Sequence, residues 1–143
     1  MTGVAPPPPA PIIRHARWTI RSVRAPQDAQ SARVQAWTCL ALFGWSGPIP
    51  SAIAILDHLV RNASEFGRCQ GEIIEVQIAR TENDDLLIDV INCHSAFPDF
   101  ERAVAGHLGQ GLWRIAQHGA TLSWHPHKSG KTVRGVLGSG RTS

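Results

Sequence analysis

The sequence predicts an α+β fold of two layers, with helices on one face of a mixed, mostly antiparallel sheet. Three observations carry that expectation. Two long segments repeat apolar residues at spacings of three and four, the period of a helix. Several short segments alternate apolar and polar residues, or run apolar over a strand's length. The segments follow one another as β-α-α-β-β-(α)-α-β-β without an internal repeat, the bracketed segment being of open form.

Residues 1–14 read as a disordered or polyproline-II arm, because Pro6–Pro9 and Pro11 cannot donate backbone hydrogen bonds. Residues 17–23 alternate Trp18, Ile20 and Ser22 against Arg17, Thr19 and Arg21, an imperfect first strand. Pro26 opens a helix with Gln27 and Asp28 in its first turn. Its inner face is Ala29, Ala32, Ala36, Cys39, Leu40 and Phe43, and Gly44 stops it. After the loop GWSGPIP, Ser51 is the expected N-cap of a second helix, closed by Gly67. That helix turns Ala52, Leu56, Leu59, Val60 and Ala63 inward.

Residues 72–79 alternate Ile74, Val76 and Ile78 with Glu75 and Gln77, and Asn83-Asp84-Asp85 supplies a turn. Leu86–Asn92 is apolar on nearly both faces, as a central strand is. A short helix is expected from Gly109 to about His118. A hairpin follows, from Leu122–Trp124, through a loop containing Pro126 and Gly130, to Lys131–Leu137. The organisation expected is an arm at 1–14, one domain at 15–138 and a flexible tail at 139–143.

Composition narrows the class. The 143 residues suffice for one domain, and 43% apolar content with five Trp supports a packed core. No run approaches the length of a membrane span, and the Pro-rich start lacks the features of a signal peptide. Cys39, Cys69 and Cys93 are an odd number without a CxxC pair. That disfavours a disulfide framework or zinc site and makes a reducing cytoplasm the expected compartment.

Formal net charge is only +3, yet the charge is unevenly spread. Four Arg and no acid precede Asp28, and the 42 residues after Glu101 hold no carboxylate. An anion site needs such ground, because carboxylates repel phosphate. A nucleic-acid face is disfavoured, since aromatic residues do not interleave with the basic ones.

Three segments offer chemistry. On the second helix His58 and Asn62 are four residues apart and about 40° apart around the axis, whereas Asp57 and Asn62 are about 140° apart. An Asn carbonyl oxygen there can help hold a magnesium ion completed by phosphates and water. Asn92 ends the central strand, where its amide can read a base edge through a donor and an acceptor. Gly109, Gly111 and Leu112 enter a helix whose unpaired N–H groups suit phosphate. Lys131-Thr132 is no Walker A motif, because His125 stands where the required first glycine would be. His125 and His127 share a face at strand spacing but lack a third metal ligand.

In order and spacing these segments resemble the histidine-kinase-like (GHKL) ATPase domain of actinobacterial anti-sigma-factor serine/threonine-protein kinases, over residues 18–137. Leu59-Val60-Arg61-Asn62-Ala63 resembles the family's N-box, Leu86–Asn92 the strand feeding the adenine site. Gly109-Gln-Gly-Leu resembles the phosphate-contacting helix start, and Gly130-Lys-Thr-Val the penultimate hairpin strand. The resemblance implies a two-layer GHKL sandwich that binds ATP and Mg2+. Asn62 would be the metal ligand, Ala63 would lie beside the nucleotide, and Asn92 would read adenine. Gly109, Gly111 and Leu112 would receive phosphate, Thr132 would support the adenine pocket, and residues 102–108 would be a lid.

Two positions depart from the family pattern. His58 stands where a Glu general base is usual, and Asn92 where an Asp is usual. A neutral His can still accept a proton near neutral pH. The implied partner is a protein, a sigma factor or anti-anti-sigma factor, with homodimerisation common in such proteins. The function expected is an ATP-binding regulator that binds, and phosphorylates, that partner. The alternative is a catalytically degenerate binding module of the same fold, without ATP turnover.

Overall fold

The computed structural model describes residues 10–20, 26–66, 74–92, 100, 104–106, 111–128 and 130–140. Strands β1 (Ile12–Ile20), β2 (Ile74–Thr81), β3 (Leu86–Asn92), β4 (Thr121–His127) and β5 (Gly130–Leu137) form one sheet in the order β1-β2-β3-β5-β4. Every pairing is antiparallel, which corrects the expected mixed sheet. The reason is the route after β3. Helix α3 (Gly111–Gln117) carries the chain back before β4 begins, so β4 ascends with β3 and its hairpin partner β5 descends between them.

Helices α1 (Pro26–Phe43) and α2 (Ile49–Phe66) complete the α+β architecture. Alternation sorts the sheet into two faces. Trp18, Val76, Val90, Val133 and Trp124 make one cross-strand row, and Ala16, Ile78, Ile88, Gly135 and Leu122 the next. Apart from Gly135, both rows belong to the core formed with Ala36 and Leu40 of α1, Ile55, Leu56, Leu59 and Val60 of α2, and Ile115 of α3. Gly135 leaves room for α2 to lie close. A Cβ there would stand 3.2 Å from Ile55 Cγ2 and 3.7 Å from Leu59 Cδ1.

The opposite face carries the polar side chains, around buried Ala79 and Leu87. Its central row carries a bidentate ion pair, Arg134 Nε and Nη2 donating to Asp89 Oδ1 and Oδ2 at 2.7 and 2.8 Å. With the guanidinium 19% and the carboxylate 10% exposed, the pair spans β3 and β5 in partial shelter from water.

The start of α2 is fastened to the β2–β3 turn. Asp84 has φ 62°, a left-handed conformation tolerated by Asp better than by most residues. Its carboxylate accepts from Arg80 Nε at 2.8 Å and from Ser46 Oγ, and its carbonyl accepts from Trp45 Nε1 at 2.9 Å. Arg80 also donates to the carbonyl of Phe43 at 2.7 Å. Gly44 follows with φ 66°, the left-handed residue that ends α1.

Three boundaries differ from expectation. β1 starts at Ile12, so residues 12–14 are strand, not arm; past Pro11, Ile12 pairs with Thr81 and Arg14 with Arg80 of β2, with a register shift at Ile13. α2 starts at Ile49, with the carbonyl of Pro48 accepting from Ala52 N at 3.2 Å, so Ser51 lies inside the helix. Pro50 fits that first turn because its missing N–H would have had no helical partner. β4 runs through Pro126, expected in a loop; an edge strand tolerates proline where its nitrogen faces away from the ladder. Among the described residues no helix is long and apolar enough to cross a membrane.

Candidate functional site

Helix α2 runs from the Asp84 turn across β3 and β5. Ile55 and Leu59 lie over Gly135, so the final turns of α2 reach the other end of the sheet, where β3 ends at Asn92 and β5 begins. Two flanks of α2 are held differently. Asp57 is gripped by Arg33 of α1 at 3.3 Å and by Arg61, one turn along, at 3.2 Å. His58 turns the other way, its ring 6.3 Å from that of His118 just past α3. Asn62 follows His58 one turn later on the same flank and is half-buried, whereas Ala63 is packed into the core.

The direction of α3 follows from its ends. Gly119, just beyond it, lies against Leu137 at the turn end of β5, and His118 reaches His58. Packed along α2 between those points, α3 runs antiparallel to α2, with Gly111 toward the Asn62 end. Leu112 lies in the first turn of α3, and Gly109 lies outside the described residues.

Lys131 was not expected here. It pairs with Asn92 in register and precedes Val133 by two residues, which puts it on the helix-covered face. It is only 4% exposed, and burial pushes its ammonium pKa below the usual value. The signal was present in GKTVRGVL, where Lys131 shares the parity of Val133 and Leu137. Reading Lys131 and Thr132 together as a failed phosphate-loop motif hid it. Thr132, expected to support a nucleotide pocket, instead lies on the opposite face in the row of Ile91 and His125. Its Oγ1 lies 3.4 Å from His127 Nε2. A one-residue step along a strand turns a side chain to the other face, and that step separates Thr132 from Asn62.

Helix α2 carries two carboxylates by sequence, Asp57 and Glu65, and Asp57 already holds two guanidinium groups. His58 has its pKa lowered, chiefly by burial. Asp57 works against that shift, and His118, Arg61 and Arg114 add to it. Its imidazole is therefore neutral at pH 7 and free to accept a proton. No three His, Cys, Asp or Glu side chains among the described residues cluster so as to hold a metal ion. A divalent cation at Asn62 would therefore be one that arrives with phosphate oxygens and water as its other ligands. The structure thus brings together Asn62, Asn92 by position, Lys131 and the start of α3, and excludes Thr132.

The chain matches no protein-family model and no curated protein sequence.

Proposed function

We propose that this protein is an ATP-binding regulator of the GHKL sandwich type, acting on a protein partner as anti-sigma-factor serine/threonine kinases do. One observation carries the reading. By their positions on α2, β5 and β3, Asn62, buried Lys131 and Asn92 all lie toward the end of the helix-covered face where α3 begins, and Asp57 is held by Arg33 and Arg61 on the other flank of α2. The wholly antiparallel five-stranded sheet with α2 laid across β3 and β5 is compatible with that sandwich.

In this reading Asn62 holds Mg2+ through its amide oxygen, and Lys131 offers the triphosphate a positive charge. Asn92 accepts from the adenine amino group without the charge that an Asp would add. ATP would supply the phosphoryl group, and a metal ion held by Asn62 would neutralise charge on its oxygens. His58, neutral at pH 7, is the residue placed to take a proton from an attacking hydroxyl.

A second reading rests on His58 itself. Its ring lies beside that of His118, and burial, with smaller contributions from His118, Arg61 and Arg114 against the pull of Asp57, weakens it as a base. That setting favours a module that binds nucleotide or protein without turnover.

Titration with a fluorescent ATP analogue, with and without magnesium, tests the first reading beside Asn62→Ala. Saturable binding that needs magnesium and weakens about tenfold or more in the variant is the expected result, equal to ~1.4 kcal/mol. Absence of binding up to millimolar nucleotide would overturn it. Binding with no phosphate release would select the second reading.

A further inference from the structure

We propose that the free edge of β1 receives an acidic, extended segment of a partner protein, which adds to the sheet as a sixth strand. β1 is an edge strand, hydrogen-bonded to β2 alone among the described strands. Residues Ile12 to His15 are all exposed, so this half of β1 projects beyond the helix layer, with one side of its backbone unpaired among the described residues. An edge of this kind is a template for another strand.

The side chains select what can pair. Arg14, His15 and Arg17 are exposed along the strand, and Arg17 reaches only as far as 3.5 Å to Glu75, an exposed contact of little strength. Arg21 and Arg24 follow in sequence, and no carboxylate occurs before Asp28. A second copy pairing antiparallel about Ala16 would set His15 of each against Arg17 of the other, two basic side chains on one face, which disfavours pairing. An incoming strand with carboxylates opposite those positions reverses the sign of each interaction.

An apolar seat lies beside the edge. Arg33 marks the flank of α1 that faces α2, because it reaches Asp57. Leu42 is nine residues further on and so about 180° round the helix, away from α2 and on the side of the free edge. It is 76% exposed. The segment that fits alternates acidic residues, facing His15 and Arg17 on the polar face, with apolar residues on the side of Leu42. Main-chain pairing and an apolar seat favour a polypeptide over nucleic acid.

The site is separate from the α2 end, so this proposal stands whether or not nucleotide binds. The probes are an about ten-residue peptide alternating Glu and Val, its Lys counterpart, and a short DNA duplex. Peptide binding is read by fluorescence polarisation and by amide shifts in the full-length protein. The Glu peptide should bind and shift β1 amides, and should weaken about tenfold or more in His15→Glu/Arg17→Glu or in about 0.5 M salt. Leu42→Asp should weaken it as well, while Asn62→Ala should leave it unchanged. Both charge positions are exposed, and a native circular dichroism spectrum confirms that the double variant folds. Equal binding of the Lys peptide, no binding up to millimolar peptide, tighter binding of the duplex, or a dimer that the double variant abolishes would each overturn the proposal.

Discussion

At its start helix α2 is tied to the β2–β3 turn by Trp45, Ser46 and Arg80, all converging on Asp84. At its other end the same helix presents Asn62 on its half-buried flank, above the start of β5 and its buried Lys131. At the first end Arg80 and Asp84 hold each other in a fixed geometry. At the second, Lys131 is buried and Asn62 is half-buried. Anchoring one end fixes the lengthwise position of the helix, and its free polar residues then fall at a fixed height over the sheet. Stability and chemistry are divided along one helix.

The largest expected effect comes from cutting the middle of α2 loose from the sheet. Leu59→Ala removes a fully buried side chain over Gly135 and should cost about 2–5 kcal/mol, measured by urea unfolding. A loss below ~1 kcal/mol would mean that the contact does not hold α2 down.

Next comes the anchored end. Asp84→Ala deletes the acceptor for Arg80 and Ser46 while leaving a left-handed backbone, and should cost about 1–3 kcal/mol. Asp84→Gly loses the same bonds but relieves the backbone, so it should cost less, and the reverse order would refute the strain argument. The pH dependence has a definite sign. Burial raises the Asp84 pKa, but hydrogen bonds from Ser46 and Arg80 and the Arg80 charge outweigh it, and the net value is below 3.8. A carboxylate lowered in this way adds stability that is present above its unfolded value and lost as pH falls through its folded one. Wild type should therefore lose stability more steeply than Asp84→Ala below about pH 4.

At the open end the readout changes. Lys131→Met keeps a buried chain of similar length and removes its charge, so binding of the ATP analogue should fall about tenfold or more. A large drop in melting temperature would assign Lys131 to the fold.

The smallest effect belongs to His58. Its folded pKa lies below 6.5, so the unfolded chain takes up a proton first and stability declines as pH drops through about 6.5. In His58→Gln that decline should shrink. An unchanged profile would move the titration to another group.

Much of this fold was legible because apolar spacing determines which way an element faces. β3 and the inner faces of α1 and α2 lie where periodicity puts them, and Leu40, Leu59 and Ile88 are buried as their patterns require. What failed was pairing information. β1 extends back to Ile12 because β2 offers partners as far as Thr81, which nothing in residues 12–14 states. Likewise Pro126 reads as a loop signal until β4 is known to be an edge. For the site, helical spacing was enough to place Asn62 and His58 on one flank. The nearness of His118 depends on how α3 returns across α2, a tertiary fact without a local signature.

Pro126 has a further consequence, for stoichiometry. The sheet has two edges, and the β4 edge carries a residue without a backbone N–H. A strand laid on β1 therefore joins a sheet whose far side cannot readily accept another. Addition can happen once and then stops. A complex built this way is one-to-one, and head-to-tail growth into fibres is closed off by a single imino acid on the edge where no partner is expected.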